Sequence, residues 1–323
     1  MKAVTYSKYG PPGVLQINDV EIPVPNDNEV LIKVCAASVN PLDWHFMRGT
    51  PYPVRLMTGL RKPKVERLGA DVAGYIEVVG KNVTQFKAGD SVFGSCRGAF
   101  AEYACASEST LVIKPENVSF EQAASVPIGT LTALQGLRNK GRIQQGKHVL
   151  INGAAGGVGT FAVQIAKSFG ADVTGVCSTR NMDMVRSIGA EHVFDYTREN
   201  FTQSAQCYDL IFDTVGNHSL SEYKRVLNQG GIYVGAGGPS DVWMIGPIIH
   251  AIQALMLSSI GSKKFVGFLA KINKDDLILI KELMQSGKIA PVIDRSYKLT
   301  EIHEAIRYLE GGHARGKVVI VLG

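Results

Sequence analysis

The chain has 323 residues, 45% of them hydrophobic, with 35 glycines and a formal net charge of +5. That length accommodates two domains with substantial cores. The mild charge, with no Lys/Arg run beyond two or three residues, gives no support to a nucleic-acid-binding face. The five cysteines (Cys35, Cys96, Cys105, Cys177 and Cys207) are dispersed and form no Cys-x-x-Cys pair, which argues against both a disulfide framework and a thiolate metal cage.

The N-terminal run Met1-Lys2-Ala3-Val4-Thr5-Tyr6 reads directly as a strand. It has neither the apolar core of a signal peptide nor an Arg/Ser-rich transit composition, so a cytoplasmic protein is expected. Residues 1–118 are mostly short strands separated by Gly, Pro and Asn, as at Val30–Val34, Gly74–Val79 and Ser91–Phe93. This stretch predicts a β-rich domain. Residues 119–268 alternate strands (Val149–Asn152, Val173–Cys177, His192–Tyr196, Leu210–Asp213, Ile232–Gly235, Phe265–Gly267) with helices such as Met182–Ile188 and Leu220–Leu227. Such alternation predicts an α/β domain with a doubly wound parallel sheet. Residues 242–260 within it are largely apolar but contain Pro247, His250 and Gln253, which suit a buried or interface helix better than a membrane span. Peripheral membrane contact is the alternative for that segment. The tail from 269 to 323 predicts a helix (Asp275–Gln285), a strand near Val292, a helix (Glu301–Glu310) and a last strand (Val318–Leu322), and is expected to complete the first domain.

The run Ala155-Gly156-Gly157-Val158-Gly159 follows the apolar strand Val149-Leu150-Ile151. It precedes a helical stripe of Val158, Ala162, Ile165, Ala166 and Phe169. Strand, glycine turn and helix in that order make the phosphate-binding opening of a dinucleotide fold. An NAD site usually has an acid about 20 residues further on. Here the next strand ends Cys177-Ser178-Thr179-Arg180, and a hydroxyl and a guanidinium suit a 2′-phosphate, so NADPH is the expected cofactor. Tyr196, at the end of the following strand, is placed to flank the adenosine phosphate.

Further motifs are Ala37-Ser38-Val39-Asn40-Pro41-Leu42-Asp43, Gly69-Ala70-Asp71-Val72-Ala73-Gly74, Gly98-Ala99-Phe100-Ala101-Glu102-Tyr103 and Gly312-His313-Ala314-Arg315-Gly316-Lys317. With these the chain resembles zinc-independent members of the medium-chain dehydrogenase/reductase superfamily, in the quinone oxidoreductase-like branch. The C-terminal run and Asp195-Tyr196 are similar to those of NADPH-dependent chloroplast-envelope oxidoreductases and mitochondrial reticulon-interacting reductases. The resemblance implies a GroES-like catalytic domain built from both chain ends, with a Rossmann domain between them. It implies a homodimer formed by edge-strand pairing, with Phe265–Gly267 near the expected edge. It also implies that Thr130 approaches the nicotinamide, that His313, Ala314 and Arg315 contact the cofactor, and that Asn40, Asp43 and Tyr52 surround the reacting carbonyl.

Zinc-dependent relatives have Cys and His-Glu where this chain has Asn40 and Ala70-Asp71, and the four-cysteine lobe is absent. No set of soft or imidazole ligands is left for a tetrahedral zinc. The expected function is therefore hydride transfer from NADPH to a small electrophile, a quinone or an α,β-unsaturated carbonyl. Asn40 and Tyr52 are then the candidate donors to the developing oxyanion, and Asp43 orients its neighbours or the ribose. The alternatives are a zinc-independent alcohol or aldehyde dehydrogenase and a non-catalytic NADPH-binding structural or sensor protein.

Overall fold

Alternating apolar residues in the first third of the chain build a run of antiparallel strands, each burying one face. The computed structural model describes residues 1–64, 66–236 and 262–322. The apolar segment 242–260 lies outside the described residues. In chain order the structure begins with β1 (Lys2–Thr5), β2 (Gln16–Asp19) and β3 (Glu29–Val39), followed by α1 (Pro41–Arg48) and α2 (Val54–Thr58). Strands β4 (Asp71–Val79), β5 (Ser91–Ser95), β6 (Tyr103–Ser107) and β7 (Leu111–Ile113) follow, then α3 (Phe120–Ala124) and α4 (Pro127–Leu134).

The chain next alternates β8 (His148–Asn152), α5 (Gly159–Ser168), β9 (Asp172–Cys177), α6 (Met182–Ser187), β10 (His192–Asp195), β11 (Tyr208–Asp213), α7 (Leu220–Arg225), β12 (Leu227–Gly235) and β13 (Lys264–Gly267). It ends with α8 (Lys274–Gln285), β14 (Ile293–Lys298), α9 (Ile302–Glu310) and β15 (Lys317–Val321).

Two units result, one of residues 1–128 with 272–323 and one of residues 129–271. The divisions fall beyond the expected 118/119 and 268/269. The first does so because α3 packs on β3, β4 and β5, and because the Ile128 amide donates to Asp71. In the first unit the strand order is β14-β15-β3-β4-β5-β7, with β6 also paired to β3. Its core gathers Val30, Ile32, Val72, Phe100, Ile306 and Ile320. The tail enters this sheet through β15, which pairs antiparallel with β3.

In the second unit all strand pairs are parallel, in the order β10-β9-β8-β11-β12-β13. Strand order reverses between β8 and β11, and in such sheets ligands bind at the carboxyl ends beside this point. β13 forms one outer edge among the described residues.

Candidate active site

In the second unit, the loop from Gly153 to Val158 joins β8 to α5 at the carboxyl end of the sheet. A Cβ on Gly159 would lie 2.0 Å from the Gly153 carbonyl oxygen, so only glycine lets the helix start pack this closely on the loop. Around Gly156 the chain leaves room, with only the Gly153 oxygen at 3.4 Å from such a Cβ. The Gly156 amide closes a turn onto Gly153 (3.0 Å). In the first turn of α5 the Thr160 hydroxyl is buried with no hydrogen-bond partner among the described residues. An open glycine backbone, a helix N-terminus and an orphaned hydroxyl fit the pyrophosphate of a dinucleotide. Ala155, Gly156, Gly157 and Val158 are all in this loop.

Behind the loop lies a buried polar network. The Asn152 amide donates to Asp213 Oδ1 (2.9 Å) and to Asn217 Oδ1 (2.8 Å), and Tyr233 donates to Asp213 Oδ2 (2.8 Å). The backbone N–H groups of Val215 and Gly216 also donate to Asp213. These bonds tie the ends of β8 and β11 together and fix the level from which the glycine loop departs.

Register brings the next group together. Asp195 of β10 lies opposite Cys177 of β9, so Ser178 and Tyr196 leave adjacent strand ends. Ser178 accepts from the Asn181 amide at 3.2 Å, Arg180 is exposed, and Tyr196 is half-exposed. No acid stands at the end of β9 itself, but the Asp195 carboxylate at the end of β10 is beside this turn. It is already committed: it accepts from the Thr179 hydroxyl, from the Thr197 amide (3.0 Å) and from the Thr197 hydroxyl (2.7 Å), with Arg198 at 3.6 Å. Hydrogen bonding from Thr179 holds its pKa below the ordinary aspartate value. Three of its roughly four acceptor sites are thus taken by threonines, which leaves it a weaker acceptor for a ribose hydroxyl. Thr130 is buried in α4, within this unit.

In the first unit, Asn40 follows β3 and is the N-cap residue of α1, with Pro41 in the first helical position. Its side chain does not cap. The Asn40 Oδ1 accepts from Lys317 Nζ at 2.6 Å, and its Nδ2 donates to Asp71 Oδ2 (2.9 Å) and the Ser38 carbonyl (3.3 Å). Both amide hydrogens are therefore used, which corrects the expectation that Asn40 donates to a substrate carbonyl. Asp43 is expected to orient its neighbours or the ribose. It is buried and accepts from the Asn40 and Gly69 amides at 2.8 and 3.0 Å, and burial pushes its pKa up to about 7.

Ser38 donates to Asp71 Oδ2 at 2.8 Å, and Lys317 Nζ lies 3.6 Å from the same carboxylate. Sequence reasoning missed Lys317. Its signals are its place at the end of the motif Gly312–Lys317 and at the start of the otherwise apolar strand Val318-Val319-Ile320-Val321.

Tyr52 follows the cis Thr50–Pro51 peptide and is 49% exposed. The Arg55 guanidinium stacks over both Tyr52 (4.8 Å) and Tyr9 (4.5 Å) and donates to the Gly49 carbonyl at 3.0 Å. His313 and Arg315 are exposed and Ala314 half-buried, in the turn before β15, where the Arg315 amide donates to Asp294 (2.8 Å). Among the described residues no three His, Cys, Asp or Glu side chains are grouped to hold a metal ion. Nor is any described helix long and apolar enough to cross a membrane.

A β-rich unit closed by the chain's own tail, interrupted by a doubly wound unit with a glycine loop, is the construction of a nucleotide-dependent dehydrogenase. Residues 26–116 match the alcohol dehydrogenase GroES-like domain, and residues 188–320 match the family described as zinc-binding dehydrogenase. The chain is 33% identical to a chloroplast envelope quinone oxidoreductase homolog of Arabidopsis thaliana, over 99% of this chain and 98% of that protein. It is 32% identical to the NADPH-dependent alkenal/one oxidoreductase of the same plant, over 99% of this chain and 79% of the relative. The solved quinone oxidoreductase from Coxiella burnetii superposes with a TM-score of 0.86 at 33% identity, covering 100% of this chain and 99% of that one. The chain belongs to the medium-chain dehydrogenase/reductase superfamily, in its quinone oxidoreductase branch.

Proposed function

We propose that this protein reduces quinones or α,β-unsaturated carbonyls with NADPH and without zinc. The observation that carries the reading is the joint end of β9 and β10. There Ser178 and Arg180 follow β9 and Tyr196 follows β10, and the Asp195 carboxylate is engaged by Thr179 and Thr197. The acceptor class is supported by the relatives named for quinones and for alkenals and alkenones. When bound, NADPH supplies the hydride.

The residues of this chain supply the rest. The loop Ala155–Val158 and the start of α5 hold the pyrophosphate, and Ser178, Arg180 and Tyr196 hold the 2′-phosphate. Thr130, with His313, Ala314 and Arg315, forms the further cofactor contacts in this proposal. The Tyr52 hydroxyl, on a half-exposed ring steadied by Arg55, donates to the acceptor oxygen. Asn40 and Asp43 act behind it, fixing the start of α1 and the Gly69 turn. A conjugated acceptor spreads the incoming charge, so a neutral hydroxyl donor suffices where an isolated carbonyl would call for a Lewis acid. A cytoplasmic homodimer is part of the same proposal, its pairing edge being β13.

The test is NADPH oxidation with quinones, enones and saturated aldehydes, with and without a chelator. Faster turnover of conjugated acceptors, insensitive to chelation, is expected. Saturated carbonyls reacting faster, or activity lost on chelation and restored by zinc, would overturn the reading.

A further inference from the structure

Lys317 is the only lysine, arginine or histidine among the buried polar residues of the described chain. Strand register explains how it arrives. β15 pairs with β3 so that Val318 faces Val39, and β3 pairs with β4 so that Ser38 faces Asp71. The ends of three adjacent strands thus deliver Lys317, Asn40 and Asp71 to one point. The ammonium bonds Asn40 Oδ1 at 2.6 Å and lies 3.6 Å from Asp71 Oδ2. The other Asp71 oxygen accepts the Ile128 amide at 3.0 Å, in the first turn of α4.

Burying an ammonium and a carboxylate is costly, and an apolar pair of the same volume is often as stable or more so. Stability alone therefore gives no reason for this pair. The geometry supplies another. A cation at Oδ1 permits the Asn40 amide only one orientation, with Nδ2 turned to Asp71 and Ser38. It also holds Asp71 where it accepts from Ile128. Asn40 begins α1, which leads into the Tyr52 loop. Ile128 ends the first unit, two residues before Thr130.

Resting on the reductase reading above, we propose that Lys317 is a positioning residue for hydride transfer. Acting through Asn40 and Asp71, its ammonium fixes the start of α1 and the first turn of α4. Burial pulls its pKa below the ordinary lysine value, while Asp71 and Asp43 act to keep it charged.

The test compares Lys317→Met with Lys317→Met/Asp71→Asn in the full chain, following thermal midpoint, NADPH affinity, KM and kcat. The single variant leaves a buried carboxylate unpaired and should lose both midpoint and kcat. The double variant removes both charges and keeps an acceptor for Ile128. Its midpoint should recover while kcat stays at least about tenfold below wild type, with KM and NADPH affinity moved by less than about threefold. Recovery of kcat in step with the midpoint, or a wild-type kcat in either variant, would show a structural role only and overturn the proposal. The wild-type acceptor panel decides the reductase reading. The variant-to-wild-type ratio, on whichever acceptor turns over, decides the role of Lys317.

Discussion

Two alanine substitutions in one loop should fail in different ways. At Gly159 the new Cβ would lie 2.0 Å from the Gly153 carbonyl oxygen, whereas ordinary contact begins near 3.4 Å, so backbone must move by roughly 1.4 Å. Overpacking of this kind costs ~1–3 kcal/mol. At ~2–4 °C per kcal/mol, Gly159→Ala should lower the melting midpoint of the cofactor-free protein by several degrees. At Gly156 the new Cβ meets only the Gly153 oxygen at 3.4 Å, and no left-handed φ is required. Gly156→Ala should therefore melt as wild type does.

Cofactor binding reverses the contrast, because the bare Gly156 backbone is where a pyrophosphate would approach. Loss of one charge-assisted bond of ~1.5–3 kcal/mol weakens NADPH by roughly 10- to 150-fold. NADPH fluorescence titration and thermal melts without cofactor measure both quantities. Wild-type NADPH affinity in Gly156→Ala would refute the loop as the phosphate cradle. A wild-type midpoint in Gly159→Ala would refute the steric argument.

Arg180→Ala should weaken NADPH by about tenfold or more in a binding titration and leave NADH nearly unchanged; equal losses for both would remove Arg180 from the 2′-phosphate site. Tyr52→Phe should lower kcat toward the ~10²–10³-fold loss typical of an oxyanion donor, with NADPH affinity intact; an unchanged kcat would leave the acceptor oxygen without its assigned partner. The Asp43 carboxyl, pushed up to about 7 by burial, binds its proton more tightly folded than unfolded, so its contribution to stability is full below about pH 4 and is lost as pH rises through 7. Asp43→Asn should accordingly flatten the fall in thermal midpoint between about pH 4 and about pH 7, and an unaltered slope would assign that fall to other groups.

The second unit was largely legible in the sequence because its central strands β8, β9 and β11 are buried along most of their length. Continuous apolar runs therefore mark them to within a residue or two, as at β8 and β9. β12 is the exception, extending back to Leu227 through Asn228-Gln229-Gly230-Gly231, whose polar and glycine residues resemble a turn. In the first unit α1 has no helical signature in the sequence, since Pro41, Asp43 and His45 interrupt any apolar stripe. Its start is set instead by the Asn40–Pro41 cap and the Asp43 carboxylate accepting the Asn40 amide.

The glycine turn was readable for a related reason. A glycine turn and the helix after it are contiguous in the chain, and Ser178, Arg180 and Tyr196 follow two strand ends whose spacing the alternation already fixes. The polar site of the first unit has no such local signature. Lys317 and Asn40 are 277 positions apart and meet only because β15 and β3 pair in one register. Read alone, Asn40 has two amide hydrogens to offer a substrate, and Asp43 a carboxylate to offer a ribose. In the fold, Asp71 and Ser38 accept the first, and the Asn40 and Gly69 amides occupy the second. A donor count made residue by residue overstates what a buried polar group has left to give. Of the three, only Tyr52 is exposed, whereas Asn40 and Asp43 are buried.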